Sequence, residues 1–495
     1  MKLRYLLISL WIGFCCLHPS QAKQKKHKPP THTVASAKTP IYGTLQLVSE
    51  INKAISESNY NAYIAVYVKS MKYGDSLYAR NIYRPLTPAS TLKILTAEAA
   101  LLFLGPNYHF STQLFTDAKG VKNGVLQGNL YVVLSGDPSL TYYDLADLIY
   151  SLKNQQIHAI SGNVYIDNTA YDQRFYGPGW EWQDKKYCYA APISASIINH
   201  NCLSFKVTPS NVSGRNAQVV TSSHYFYPQI KNAVVTKANR TKTCALRLST
   251  SPSSIIAIDG CMPRGRYAWG VSYVVANIPE YNRALFKSLV KQMGIDVYGT
   301  VTFGSAPNNL SLIGQHLSKP LTSLINDMLK KSDNVIAGAL FKKLGQLYTH
   351  QPGSWENGSL AVSRILSKQA GINITGMRIL DGSGLSPNNL ATSAQMMQAL
   401  DYAYHHPINI PFISALPIAG VDGTLKHRMG NIARKVQAKT GTISGVASLA
   451  GYAVNADKEA LAFVIMINGS KGLGWRYKTL EDKIATVLTR HKRLS

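Results

Sequence analysis

Acidic side chains are scarce in this sequence: 25 Asp and Glu stand against 52 Lys and Arg, a formal charge of +27 over 495 residues. Long apolar runs are scarce too. The only candidate, Leu6 to Leu17, is too short to span a bilayer comfortably, and no later segment is apolar enough to do so. The mature chain is therefore expected to be soluble or peripherally bound. Cysteine is limited to six residues, and no C-x-x-C pair occurs among them. The G-x-S-x-G elbow, the H-E-x-x-H zinc motif and the phosphate-cradling G-x-x-x-x-G-K-[ST] loop are all missing. His405, His406 and His427 stand without metal-ligand spacing and read as surface or structural residues. No metal or organic cofactor is implied. Nothing repeats at solenoid spacing.

What is present begins with an export signal. Lys2 and Arg4 precede the short apolar core, and Ser20-Gln21-Ala22 offers a small-residue cleavage site, which sets residues 1–22 apart as a signal peptide. Residues 23–40, which include KQKKHKPPTHT, are basic, contain proline and lack apolar periodicity, as expected of a disordered linker. Export places Cys188, Cys202, Cys244 and Cys261 in an oxidising compartment, the periplasm. Four cysteines allow three pairings; proximity in sequence favours Cys188–Cys202 and Cys244–Cys261. The positive surface attracts polyanions. Export argues against nucleic acid and leaves an anionic membrane or the cell-wall polymer as partners, or a basic surface with no single partner.

With 45% hydrophobic and 16% charged residues the chain is globular, and its length calls for more than one structural unit. Tyr63 to Val68 alternates like a strand, turns at Tyr73-Gly74-Asp75 and returns over Ser76 to Ala79. TPASTLKILTAEAALLFLG then reads as a helix, with Thr87 as cap, Pro88 in the first turn and Gly105 at the end. From Pro106 to about Leu312 the texture changes to short β-like runs between Gly, Asn, Pro and Asp, and all four remaining cysteines fall there. Helical pattern resumes over Pro320 to Leu347. ASLAGYAV and ALAFVIMIN flank Asn455–Lys458 as a hairpin, and a last helix covers Thr479 to Leu488.

Three short motifs carry chemistry. In Ser90-Thr91-Leu92-Lys93 the hydroxyl and the amine lie three positions apart on one helix face, so a neutral lysine could take the serine proton. Ser332-Asp333-Asn334 offers a second hydroxyl to shuttle a proton and an amide to orient a substrate carbonyl. Lys439-Thr440-Gly441, followed by Thr442, sits just before the ASLAGYAV strand, where Gly441 would let a substrate backbone pair along a sheet edge. S-x-x-K alone is expected roughly a couple of times by chance in a chain this long. The three motifs in this order are far more specific, and they are the set found in penicillin-binding proteins and serine β-lactamases.

With SGDPSL from Ser135, PGWEWQD from Pro178, KKSDNVIA from Lys330, DGSGLS from Asp381, LPIAGVDGTL from Leu416 and AKTGT from Ala438, the chain resembles peptidase family S13. These are the penicillin-binding protein 4 type D-alanyl-D-alanine carboxypeptidase/endopeptidases. The resemblance covers nearly all of the mature chain, including the cysteine positions, which the family pairs between sequence neighbours. It implies an α+β fold: a transpeptidase/β-lactamase-like core, an antiparallel sheet flanked by helices, with large β-rich inserted domains. The core would be residues 41–105 and 315–495, the insertion 106–314, with a nested subdomain at about 205–265; about 240 residues separate the first two motifs, more than a β-lactamase places there.

The resemblance also assigns roles. Ser90 is the implied nucleophile, Lys93 its base, and Ser332 with Lys439 the proton path to the leaving amine. Asn334, Thr440, Gly441 and Thr442 would bind substrate, with the amides of Ser90 and Thr442 as oxyanion hole. Asp184 would meet the free amine of a meso-diaminopimelate side chain. Asp381 and Asp422 read as loop-fixing residues. Pro387 and Ser444 stand where relatives place arginine and glutamine. The implied substrates are peptidoglycan stem peptides, with β-lactams as inhibitors. The competing functions are a serine β-lactamase and a non-catalytic peptidoglycan-binding or penicillin-sensing protein.

Overall fold

The computed structural model describes residues 43–221, 230–238, 244–250, 255–265, 267–469 and 474–493. The expected signal peptide and basic linker lie outside the described residues. Two strands near the start of the described chain, β1 (Tyr63–Ser70) and β2 (Ser76–Arg80), join three near its end, β3 (Val436–Ile443), β4 (Val446–Val454) and β5 (Ala460–Asn468). The sheet is antiparallel throughout, in the order β3-β4-β5-β1-β2. The β5 sequence ALAFVIMIN is apolar at every position but the last because both of its faces are covered. Leu461, Phe463, Ile465 and Ile467 join a core with helix α1 (Gly43–Ser58) and the C-terminal helix Gly474–Arg490, whereas Ala462, Val464 and Met466 join the larger core on the other face.

That larger core contains α2 (Lys93–Leu104), α3 (Leu321–Lys330), α4 (Asn334–Thr349), α5 (Trp355–Ala370) and α6 (Ser393–His405). Three expectations are refined here. Thr87 is not a helix cap: its hydroxyl donates to Pro387 O and its amide to Asn468 Oδ1. The segment opens instead as a 3-10 turn, Ala89–Leu92, and becomes α-helix only at Lys93. The helical stretch expected over Pro320 to Leu347 is two helices, broken at Lys331–Asp333, where Ser332 adopts φ +60° and Asp333 caps α4 by accepting from Val335 N at 2.8 Å and Ile336 N at 2.9 Å.

Among the described residues, four further sheets are built wholly from strands between Ser111 and Leu317. The largest is mixed and five-stranded, with Ser311–Leu317 antiparallel to Ser111–Thr116 at its edge. Cys188 is bonded to Cys202, and Cys244 to Cys261, the pairing that proximity favoured. The protein is thus α+β, as expected.

Candidate active site

All three motifs meet where the 3-10 turn, the α3–α4 break and the sheet edge converge. Ser90 sits half-buried on the turn. Lys93 opens α2 and is fully buried; its Nζ lies 2.9 Å from Ser90 Oγ, 2.6 Å from Asn334 Oδ1 and 2.7 Å from Ser383 O. None of these acceptors is a carboxylate. Burial pushes Lys93 down to about 7, against the more distant pull of Asp381 and Asp333. A neutral amine keeps two N–H donors for Asn334 and Ser383 and turns its lone pair on the serine hydroxyl.

Lys439 is equally buried. Its Nζ donates to Ser332 Oγ at 2.9 Å and to Thr440 O at 2.7 Å. Burial, and then the charge of Lys93, hold it well below the usual lysine range. Two hydroxyls, each held by a buried lysine amine, thus face one cleft. The left-handed backbone at Ser332 turns its side chain back toward β3 while Asn334 starts the next helix.

Lys439, Thr440, Gly441 and Thr442 lie within β3 rather than ahead of a strand, and β3 is the edge of its sheet. Its first residues are covered, since Ala419 N donates to Val436 O and Ala438 N to Pro417 O, both at 2.9 Å. Beyond Ala438 no further strand pairs with that side among the described residues. Gly441 is required by a close approach: a Cβ there would come within 2.1 Å of Ser448 Oγ and 3.0 Å of Ser90 N. The lack of a Cβ lets the strand pass directly beside the Ser90 turn. Ser448, fully buried on β4, donates to Pro88 O at 2.6 Å and so ties that turn to the sheet.

Loops complete the walls. Asp381 is fully buried and accepts from the amides of Ser383, Gly384 and Ser386 and from Trp180 Nε1, which fixes the DGSGLS loop and aims Ser383 O at Lys93. Asp422 accepts from Ile418 N at 2.8 Å and pairs with Lys330 at 2.7 Å, and Thr424 in the same loop accepts from the Thr440 hydroxyl at 2.8 Å. Asp184 is half-buried on a 3-10 turn and accepts from Tyr189 OH at 2.7 Å, while Tyr189 O accepts from Asn334 Nδ2 at 2.7 Å. Asp184 is therefore two hydrogen bonds from the second motif. The structure brings together Ser90, Lys93, Ser332, Asn334 and Lys439, with Asp184 at the rim.

Motif reasoning missed Ser383, Ser448 and the capping role of Asp333. DGSGLS was visible, but a backbone carbonyl leaves no mark in residue type. Asp333, next to an apolar helical run, carried an N-cap signal that could have been read.

A profile of the D-Ala-D-Ala carboxypeptidase 3 (S13) family matches residues 47–491. The chain is 34% identical over 426 residues to the D-alanyl-D-alanine carboxypeptidase DacB of Haemophilus influenzae, covering 85% of this chain and 88% of that one. It is 31% identical over 415 residues to a D-alanyl-D-alanine carboxypeptidase of an Actinomadura species, covering 81% and 76%. The crystal structure of the H. influenzae protein, penicillin-binding protein 4, superposes with a TM-score of 0.81 at 32% identity, over 89% of this chain and 99% of that one. A second structure of it, complexed with a β-lactam, superposes at 0.77.

Proposed function

The chain belongs to the D-Ala-D-Ala carboxypeptidase 3 (S13) family, and from that premise we propose a periplasmic serine enzyme that trims terminal D-alanine from peptidoglycan stem peptides, cuts D-Ala–meso-diaminopimelate cross-links, and is blocked by β-lactams. The observation that carries this is the 2.9 Å contact between Ser90 Oγ and a buried Lys93 amine whose hydrogen-bond partners among the described residues include no carboxylate.

In this mechanism Ser90 Oγ attacks the carbonyl carbon between the two D-alanines as Lys93 takes its proton. The developing oxyanion rests on the amides of Ser90 and Thr442. Ser332, held by Lys439, passes a proton to the leaving nitrogen, and the C–N bond breaks. Water then attacks the acyl-serine, releases the shortened peptide as a carboxylate and restores the hydroxyl. Lys439 and Thr440 hold the substrate's terminal carboxylate, Gly441 admits its backbone to the edge of β3, and Asn334 orients the acyl side. Asp184 at the rim is placed to meet a side-chain amine. A β-lactam acylates Ser90 by the same route; the β-lactam complex of the H. influenzae relative supports this.

Residues 41–105 and 315–495 form the catalytic domain in this reading, with 106–314 inserted and about 205–265 nested within it. Support comes from the sheet whose strands come from both ends of the chain and from the four sheets that lie between them. The pairing of Ser311–Leu317 with Ser111–Thr116 favours an insertion that runs a few residues further, to Leu317. The two disulfides favour an oxidising compartment. Among the described residues no helix is long and apolar enough to cross a membrane, and the basic charge favours peripheral association with an anionic membrane or wall, which salt would weaken.

The test is labelling of wild type and Ser90→Ala with a fluorescent penicillin, followed by mass spectrometry of the adduct. A stable adduct on Ser90, absent in the variant, is expected. Absence of an adduct with penicillin consumed would replace this reading with a β-lactamase; absence without consumption would leave a non-catalytic binder.

A further inference from the structure

His200 lies about 130 residues before the second motif and belongs to none of the three. It occupies a turn of three successive left-handed residues, Asn199, His200 and Asn201, with φ +49°, +57° and +50°. Such a run is costly outside glycine and persists only when its surroundings hold it. Here they do. Asn199 N donates to Leu140 O at 2.9 Å, the fully buried Asn201 side chain donates to Pro192 O at 3.0 Å, and Cys202 anchors the next position through its disulfide to Cys188.

What the turn presents is one imidazole nitrogen: His200 Nε2 lies 3.3 Å from Asp333 Oδ2. The other oxygen of Asp333 caps α4, and its chain neighbours are Ser332, bound to Lys439, and Asn334, bound to Lys93. One carboxylate therefore connects His200 to both lysine–hydroxyl pairs. On the basis of the acyl-serine mechanism above, we infer that His200 is a positioning residue: its imidazolium clamps Asp333 so that Asn334 and Ser332 are held at working distance, and the clamp opens when the imidazole loses its proton.

The surroundings set the sign. The hydrogen bond to Asp333 raises His200 above the usual imidazole value, against burial, with Asp327 assisting and Lys331 opposing at the end of α3. Burial would raise Asp333, but the hydrogen bond and charge of His200, the Ile336 amide and the charge of Lys93 together lower it. A cavity of about 440 Å³ opens beside the pair; across it stand Asp144, His316 and Lys319. His200 is thus protonated below the ordinary imidazole range and releases its proton as pH rises through its raised value. Lys93 changes the other way, becoming a competent base as pH rises through about 7. Acylation is therefore bell-shaped in pH, with Lys93 on the rising limb and His200 on the falling one.

The experiment is the second-order rate of Ser90 acylation by a fluorescent penicillin across about pH 5 to 9. Three proteins are compared: wild type, His200→Asn, which tolerates a left-handed backbone, and His200→Arg, which keeps a permanent cation. His200→Asn should acylate about three- to tenfold more slowly at neutral pH and lose the falling limb. His200→Arg should restore the neutral rate and hold it at high pH. Thermal melts of all three separate loss of fold from loss of positioning, and wild type against His200→Arg decides alone if the asparagine variant melts early. Superimposable profiles, or a falling limb that persists in His200→Arg, overturn the clamp. A wild type that is never acylated overturns the acyl-serine mechanism itself, and the clamp's role with it.

Discussion

The cleft and the region behind α4 each bury two lysines, and they do so in different chemical company. Behind α4, Lys342 is fully buried, but its Nζ meets Asp172 at 2.7 Å and Arg174 O at 2.8 Å, and lies 4.8 Å from the Trp355 ring. Burial lowers it, and the Asp172 carboxylate offsets part of that effect. Lys343 beside it is pushed by burial to about 8, with Gln346 Oε1 as its 2.5 Å acceptor and the rings of Phe110 and Tyr171 nearby. In the cleft, Lys93 and Lys439 reach hydroxyl, amide and carbonyl oxygens, and each touches a serine. A lowered lysine is therefore not in itself an active site, since Lys343 has one without a hydroxyl to activate. The cleft adds the Ser90 hydroxyl, within reach of the Lys93 amine, and the open edge of β3 beside it.

The largest test of that comparison replaces one lysine from each region. Lys93→Met should lower the acylation rate by about 10²- to 10⁴-fold, the range of a lost general base, and abolish the rise in wild-type acylation with pH through about 7. Lys342→Met should leave acylation of the folded protein essentially unchanged; a large loss there would erase the distinction. Next comes Gly441→Ala, whose Cβ would force β3 away from Ser448 and the Ser90 amide. Acylation should drop on the order of tenfold to a hundredfold, accompanied by an overpacking cost of about 1–3 kcal/mol in stability. In Lys342→Met the cost should appear as stability. Leaving Asp172 without its cation, though that carboxylate is 24% exposed, should remove about 2–4 kcal/mol, read from urea unfolding.

The smallest effect concerns Glu98, on α2. It is fully buried, and among the described residues neither carboxylate oxygen has a hydrogen-bond partner. Burial raises it well above the usual carboxylate range. The unfolded chain ionises Glu98 near its ordinary value while the folded one keeps it protonated, so stability falls as pH rises from about 4.5 toward the raised value. Glu98→Leu should stabilise the protein by about 1–3 kcal/mol and flatten that slope; an unchanged urea midpoint would contradict it.

Much of the site was legible because its parts are short and local. Ser90 and Lys93 share a face at a spacing of three, and Lys439 to Thr442 stand just ahead of the ASLAGYAV run. Other parts depend on contacts that residue type does not announce. Ser383 contributes only a carbonyl. Ser448 looks like any polar residue in an apolar strand, and only the sheet register places it opposite Gly441. Thr87 looked like a cap and is instead a bridge to Pro387 and Asn468, because a 3-10 turn precedes α2.

The sequence by itself determined the residue types and the order of the motifs, since side-chain chemistry is written residue by residue; the reaction type and the α+β class followed from its resemblance to family S13. Only the tertiary structure decided that Ser332 would turn back toward Lys439. It also put the Ser90 turn against the edge of β3 and set His200 against Asp333. Those outcomes depend on packing between segments hundreds of residues apart, where steric fit and burial, rather than local pattern, choose the partner.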